Sequence, residues 1–371
     1  MVLTTINDPA LLDGYYLNFL AHQHLSQVRV IVIPDRKTPD AAYERCEHLR
    51  SQGMSIDCPT LLEQECFLHK VGFPTDLIPY DSDNRRNVGY LMALTEPIDF
   101  LISVDDDNFC SGEEDFFAAH SIVCDEPRKI SVVETSAGWF NVCEQLTIEP
   151  RRTVYPRGYP HFARHKRQTV REQHYESAVR INAGLWLQEP DLDALTWLNG
   201  PVRSTEFCGT SIVLGDHTWS PVNTHNTALH RSAIPSYYFV KMGFSVSGMR
   251  IDRYGDIFSG YFSQACAKSL GDSVRVGTPI ATHRRNSHNY LKDATQELAC
   301  ICMLEEFLPW LKEYRLSGND YLEAYQSLSH GLEEASSRFH GFIWTQETAR
   351  FFSSTAQVMR EWVKVCRHIG V

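Results

Sequence analysis

The run Ile98-Asp99-Phe100-Leu101-Ile102-Ser103-Val104 passes directly into Asp105-Asp106-Asp107. Over residues 98–104 the chain is apolar at nearly every position, the pattern of a central strand covered on both faces rather than of one that alternates between core and water. Three adjacent carboxylates at the end of such a strand work against stability, because like charges repel and each is costly when buried without a partner. A divalent cation removes the conflict, and hard oxygen ligands suit Mg²⁺ or Mn²⁺. The plainer explanation of the same triplet is an acidic loop ahead of Gly112-Glu113-Glu114 that caps the following helix.

Towards the N-terminus the chain alternates strand and helix. Residues 2–6 form a short β-branched run closed by Asn7 and Asp8, and Pro9 opens a stretch in which Leu11, Leu12, Tyr15, Phe19 and Leu20 share a broad apolar face. Residues 28–33 read as a second strand that stops at Pro34-Asp35. Asp40 is the expected N-cap of a helix to about residue 50, with Gly53 as its terminator and residues 54–58 as a third strand. A fourth unit begins at residues 77–80, passes through Asp81-Ser82-Asp83-Asn84 and continues as a helix over 85–94.

Strand, helix, strand repeated in this way implies a mostly parallel sheet flanked by helices, in which ligands bind beyond the carboxyl ends of the strands. Thr5, Asp35 and the aspartate triplet would share that rim. A threonine hydroxyl beside a carboxylate can read the edge of a pyrimidine ring, and Arg86 can reach a phosphate or the aspartates. Neither GxGxxG nor GxxxxGK[ST] occurs, so a dinucleotide fold and a P-loop have no support.

The middle of the chain, residues 130–290, holds short strands, prolines and turns. Its basic run from Arg151 to Arg180 is expected to be a solvated loop or an attractor for a small anion. From Gln296 the pattern is helical. The expected organisation is therefore an α/β domain over 1–295, with a nucleotide-binding half (1–110) and an acceptor and metal half (111–295), followed by a helical C-terminal extension over 296–371.

Composition narrows the function classes. Hydrophobic residues make up 43% and charged residues 22%, an ordinary globular balance. A net charge of −11 argues against a nucleic-acid polymer as partner. No apolar run approaches the roughly 18 residues of a membrane span, and the N-terminus lacks the pattern of a secretory signal, so a cytoplasmic protein is expected. Eleven cysteines without a CxxC pair fit reduced, mostly buried thiols.

Five elements in order then resemble one family. The order of a nucleotide-binding α/β half, a short acidic DxD-type motif and a mixed second half is similar to a glycosyltransferase of the GT-A fold. The details resemble the reversibly glycosylated polypeptides, or UDP-arabinopyranose mutases. They are Asp105-Asp106-Asp107-Asn108-Phe109, Arg157-Gly158-Tyr159-Pro160, the stretch Gly184-Leu185-Trp186-Leu187-Gln188-Glu189-Pro190-Asp191, Arg253-Tyr254-Gly255-Asp256, and His283 followed by basic residues.

The resemblance implies a GT-A type, Rossmann-like sheet and a UDP-sugar donor. It implies that Asp105 and Asp107 serve the ribose and the metal, Mn²⁺ or Mg²⁺, with Asp106 beside the sugar. His283 would complete the metal site, and Arg284 and Arg285 would meet the diphosphate. Asp256 would be the general base of an inverting transfer. Arg157 matches the arginine that the family links to self-glycosylation and mutase activity. Gly255 departs from the family, which has an acidic residue there.

The leading expectation is a metal-dependent transferase moving a hexose, glucose by preference, from a UDP-sugar to a small hydroxylated acceptor. The first alternative is a UDP-sugar mutase or self-glycosylating protein. The second is a non-catalytic sugar-nucleotide-binding protein. A homo-oligomer is compatible with each.

Overall fold

In the computed structural model, which describes residues 1–110 and 113–371, the first third of the chain folds as its alternation requires. β1 (Val2–Thr5), α1 (Leu11–Ala21), β2 (Arg29–Pro34), α2 (Asp40–Ser51), β3 (Ser55–Asp57), α3 (Leu61–Val71), α4 (Arg86–Leu94) and β4 (Phe100–Val104) follow in order. Strands β3, β2, β1 and β4 lie side by side and parallel. Val30, Val32 and Ile33 are fully buried, so β2 must be covered on both faces. Helix α4 presses onto that surface through Gly89, where a Cβ would stand 2.5 Å from the Val2 side chain. Asp40 does not cap α2 but begins it, because Pro39 holds the cap position in extended backbone.

Beyond β4 the sheet becomes mixed. β5 (Asn108–Cys110), α5 (Phe116–Ser121), β6 (Arg128–Thr135), β7 (Leu146–Glu149), β8 (Val170–Ser177), β9 (Val179–Gln188), α6 (Ala194–Leu198), β10 (Arg203–Phe207), β11 (Ile212–Leu214) and β12 (Asn226–His230) come next. The hairpin β13 (Ser245–Val246) and β14 (Met249–Arg250), then α7 (Gly255–Ser269) and β15 (Ser273–His283), complete the α/β part. β12 runs antiparallel between β4 and β9, and β15 lies parallel to β9 on the far side. Thirteen strands of the described residues form this sheet, in the order β3-β2-β1-β4-β12-β9-β15-β11-β6-β8, with β5, β7 and β10 branching from it.

Two sequence expectations are corrected here. The basic run is not simply a loop: residues 170–177 are the edge strand β8, paired along its length with β6. The helix after the triplet, α5, is capped by Asp115, whose carboxylate accepts from the Ala118 N–H at 2.9 Å. The triplet therefore does not cap it, and Gly112 lies outside the described residues.

Helices α8 (Tyr290–Glu313), α9 (Tyr321–Ala335) and α10 (Gln346–His368) pack on the main core. Phe351 and Phe352 of α10 meet Phe258 of α7, and the Trp362 indole donates to the Pro235 carbonyl at 3.0 Å. The result is an α/β fold of GT-A type, a large mostly parallel mixed sheet flanked by helices with a helical C-terminus. Among the described residues no helix is long and apolar enough to cross a membrane.

Candidate active site

The carboxyl ends of β2, β1 and β4 open onto a cavity of about 800 Å³. Thr5, Asp35, Arg86, Asp105, Asp106, Asp107, Arg157, Asp256, His283 and Arg285 all line it. Parallel neighbours place their ends together, so Thr5 at the end of β1 reaches the triplet at the end of β4: its hydroxyl donates to Asp106 Oδ2 at 2.7 Å. Asp35 accepts from the backbone N–H of Arg36 at 2.7 Å and of Ser82 at 3.3 Å. Both are therefore held rather than free.

Each aspartate of the triplet has its own partner. Asp105 binds the buried Arg86 through Nη2 at 2.5 Å and lies 3.2 Å from Nε2 of His225. Arg86 reaches the acidic cluster, and it also ties down the end of β4 by donating to Ser103 Oγ and the Val104 carbonyl. Asp106 has its pKa raised, chiefly by burial, despite the Thr5 hydrogen bond. Asp107 sits 3.2 Å from Nε2 of His283. Burial pushes the Asp107 carboxyl up, but the hydrogen bond and charge of His283 outweigh it and hold the group at about 2.

His283 ends β15 and is buried. Its Nδ1 lies 2.6 Å from the Glu189 carbonyl, which requires the proton on Nδ1 and turns Nε2 towards Asp107. That tautomer is the one a metal-binding imidazole needs, and a carboxylate with an imidazole is a donor set that Mn²⁺ accepts. Asp107 and His283 are thus the residues that fit a divalent ion.

A second layer lies on the cavity floor. Arg157, 5% exposed, donates from Nε to Asp191 Oδ1 at 2.9 Å and from Nη1 and Nη2 to Asp256 Oδ1 and Oδ2 at 3.0 and 2.7 Å. Asp256 stands in the first turn of α7 but does not cap it; Tyr254 is the cap residue and makes no side-chain cap bond. Asp191 also accepts from Asn223 Nδ2 at 2.8 Å and lies 3.8 Å from His225 Nε2. Gly158, at φ +86°, lets the chain turn beside α7, where a Cβ would meet Ile257 at 2.5 Å.

The two arginines after His283 part company. Arg285 faces the cavity, its guanidinium 5.0 Å from the Trp197 ring centroid, with Nη1 buried and unpartnered. Arg284 is exposed and stands over Phe109 at 4.4 Å, apart from the residues that line the cavity. Trp186 and Trp219 are buried in the core. Asp191 and His225 were missed as site residues. The polar run Asn223-Thr224-His225-Asn226, which leads into β12, was the available signal for His225.

The family profile described as reversibly glycosylated polypeptide matches residues 22–371. A probable UDP-arabinopyranose mutase 4 of Arabidopsis thaliana is 25% identical over 308 residues, covering 81% of this chain and 75% of that protein. A probable UDP-arabinopyranose mutase 1 of Pisum sativum is 27% identical over 251 residues, 67% of this chain and 63% of its own length. UDP-arabinopyranose mutase 2 of Arabidopsis thaliana is 25% identical over 300 residues, 79% of this chain and 74% of that protein. These relatives carry the names of mutases and not of glucosyltransferases, which favours the first alternative over hexose transfer. The chain belongs to the reversibly glycosylated polypeptide family.

Proposed function

We propose that the protein is a UDP-sugar mutase, rearranging the sugar of a UDP-linked pyranose within the cavity at the β1, β2 and β4 strand ends. The family and its mutase-named relatives supply the substrate class. The observation that carries the reading is at Asp256: both of its carboxylate oxygens accept from Arg157, and the residue is 4% exposed. A transferase needs a free base beside a second substrate, whereas a rearrangement needs fixed charge around one sugar.

In this reading Thr5 and Asp35 lie at the nucleotide end and Arg285 offers its free Nη1 to the diphosphate. Asp107 and His283 would hold a divalent ion, which when bound would neutralise diphosphate charge. Asp256, Asp191 and Arg157 form the floor beneath the sugar, where paired charges set a fixed field around the anomeric centre.

The test is product analysis. The protein is incubated with UDP-arabinopyranose or UDP-glucose and Mn²⁺, and the mixture is separated by chromatography. An isomerised UDP-sugar with little free UDP is expected from the pentose donor. Stoichiometric free UDP with a glycosylated acceptor would return the transferase reading.

A further inference from the structure

The floor of the cavity comes from separate stretches of chain. Residues 190–194 bring Asp191 and lead into α6, and residues 252–256 bring Asp256 together with the Arg253 carbonyl that accepts from Arg157 Nη1. Arg253 takes φ +63°, a costly backbone for a residue with a side chain, and such a conformation persists only where its surroundings fix it. What fixes it comes from α8. The Asp252 N–H donates to the Gln296 carbonyl at 3.0 Å, and Arg253 Nε donates to Glu297 Oε1 at 3.0 Å. Arg253 Nη1 also lies 4.0 Å from Asp293 Oδ1.

The other oxygen of Glu297 reaches the other stretch. Oε2 accepts from the Ala194 N–H at 2.7 Å, an amide in the first turn of α6 that no helical carbonyl can serve. Glu297 is 1% exposed and is not among the residues that line the cavity. Burial raises its pKa, while the charges of Arg253 and Arg157 and its two hydrogen bonds oppose that rise. N–H donors on both oxygens fit the carboxylate form. Helix α8 does not need this group for its own packing, which Ala299, Cys300, Met303, Leu304 and Phe307 carry. A buried charge at this place is accounted for by what it joins.

We propose that Glu297 is a positioning residue that clamps the two stretches of the floor together, setting Asp191 against Asp256 without touching the sugar. The helical C-terminus is then part of the site. The effect on turnover rests on the mutase reading; the clamp does not.

The experiment compares full-length wild type with Glu297→Gln. Glutamine has the same shape but one acceptor oxygen and an NH₂, so it can serve Arg253 or Ala194 and not both. Hydrogen exchange read by peptide mass spectrometry should speed up at least about tenfold over residues 191–197 and 252–256 and stay unchanged over β1 and β4. With UDP-arabinopyranose and Mn²⁺, well below the unfolding temperature of either protein, kcat should fall about tenfold to a hundredfold. KM should stay within about twofold, because the nucleotide contacts lie on the rim.

Unchanged exchange in the two stretches overturns the proposal, and so does faster exchange spread over the whole chain, which would mark a general loss of stability. Faster local exchange with unchanged kcat would leave Glu297 a structural residue only and also overturns it. If wild type proves inactive as a mutase, that reading fails, and the exchange pattern still decides the clamp. If Glu297→Gln does not fold, Glu297→Asp decides: it keeps the charge but stands about one bond length short of its donors, so the same local exchange and the same fall in kcat are expected, and wild-type behaviour in both would overturn the proposal.

Discussion

Nε2 of His283 lies 3.2 Å from Oδ2 of Asp107, although 176 positions of chain do not favour their meeting by chance. Strand β15 delivers the histidine and β4 the aspartate, and the Glu189 carbonyl fixes which ring nitrogen faces inward. The proposed function assigns the divalent ion to this pair.

The first prediction is that UDP binding depends on such an ion. An acidic wall and a diphosphate repel each other without one. Calorimetry in Mn²⁺ and then in EDTA should find affinity lowered at least about tenfold on chelation, and lowered similarly in Asp107→Ala or His283→Ala. Equal UDP affinity with and without EDTA would remove the ion from the site.

The second prediction concerns pH in ion-free protein. His283 is buried, which lowers its pKa, but the Asp107 hydrogen bond and charge outweigh burial and raise it above 6.5. Its contribution to stability is therefore complete below about 6.5 and is lost as pH rises through the raised value. Asp107 is lowered from 3.8 to about 2, so its contribution is present above 3.8 and lost towards 2. The pair should stabilise the fold most between about pH 4 and 6.5. A double-mutant cycle of Asp107→Asn and His283→Gln, read by urea unfolding in EDTA, should give a coupling of about 0.5–3 kcal/mol near pH 5.5 that shrinks near pH 8.5. Equal coupling at both values would contradict the charged pair.

The rim of this site was legible in the sequence because it follows from local order. Parallel strands put Thr5, Asp35 and Asp105 on one edge, and each ends a β-branched run that can be read by eye. The floor was legible only through the resemblance, which pointed to Arg157 and Asp256 but neither to Asp191 nor to the pairing of the three. Arg157 meets Asp191 across 34 positions and Asp256 across 99, and no periodicity encodes such a bundle. Strand β8 hid because both of its faces are largely exposed, so its residues lack the alternation that marks a half-buried strand. Lys292 and Asp293, in the first turn of α8, line the cavity, so the helix that looked like the start of an inert extension begins inside the site.

The third prediction concerns Asp256. Asp256→Asn keeps the shape of the side chain but removes the charge that faces Arg157. Turnover of a UDP-sugar should fall about 10²–10³-fold, the loss typical of removing one fixed electrostatic group, while UDP affinity, carried by the rim, should stay within about twofold. Near wild-type turnover would move the chemistry away from the floor.

The last prediction separates two neighbouring arginines. Arg285 is held over Trp197 with Nη1 buried and without a partner, an arrangement that is costly unless an anion completes it. Arg284 is exposed and stacked on Phe109, with its backbone N–H donating to the Asp107 carbonyl at 2.9 Å. A substitution at 284 keeps that backbone bond. A hydrogen bond to a charged group is worth about 1.5–3 kcal/mol, so Arg285→Ala should weaken UDP binding by roughly tenfold to a hundredfold. Arg284→Ala should leave it within about twofold. Calorimetric titration of UDP into both variants decides it, since equal losses would mean that general charge near the cavity, and not the free Nη1 of Arg285, attracts the diphosphate.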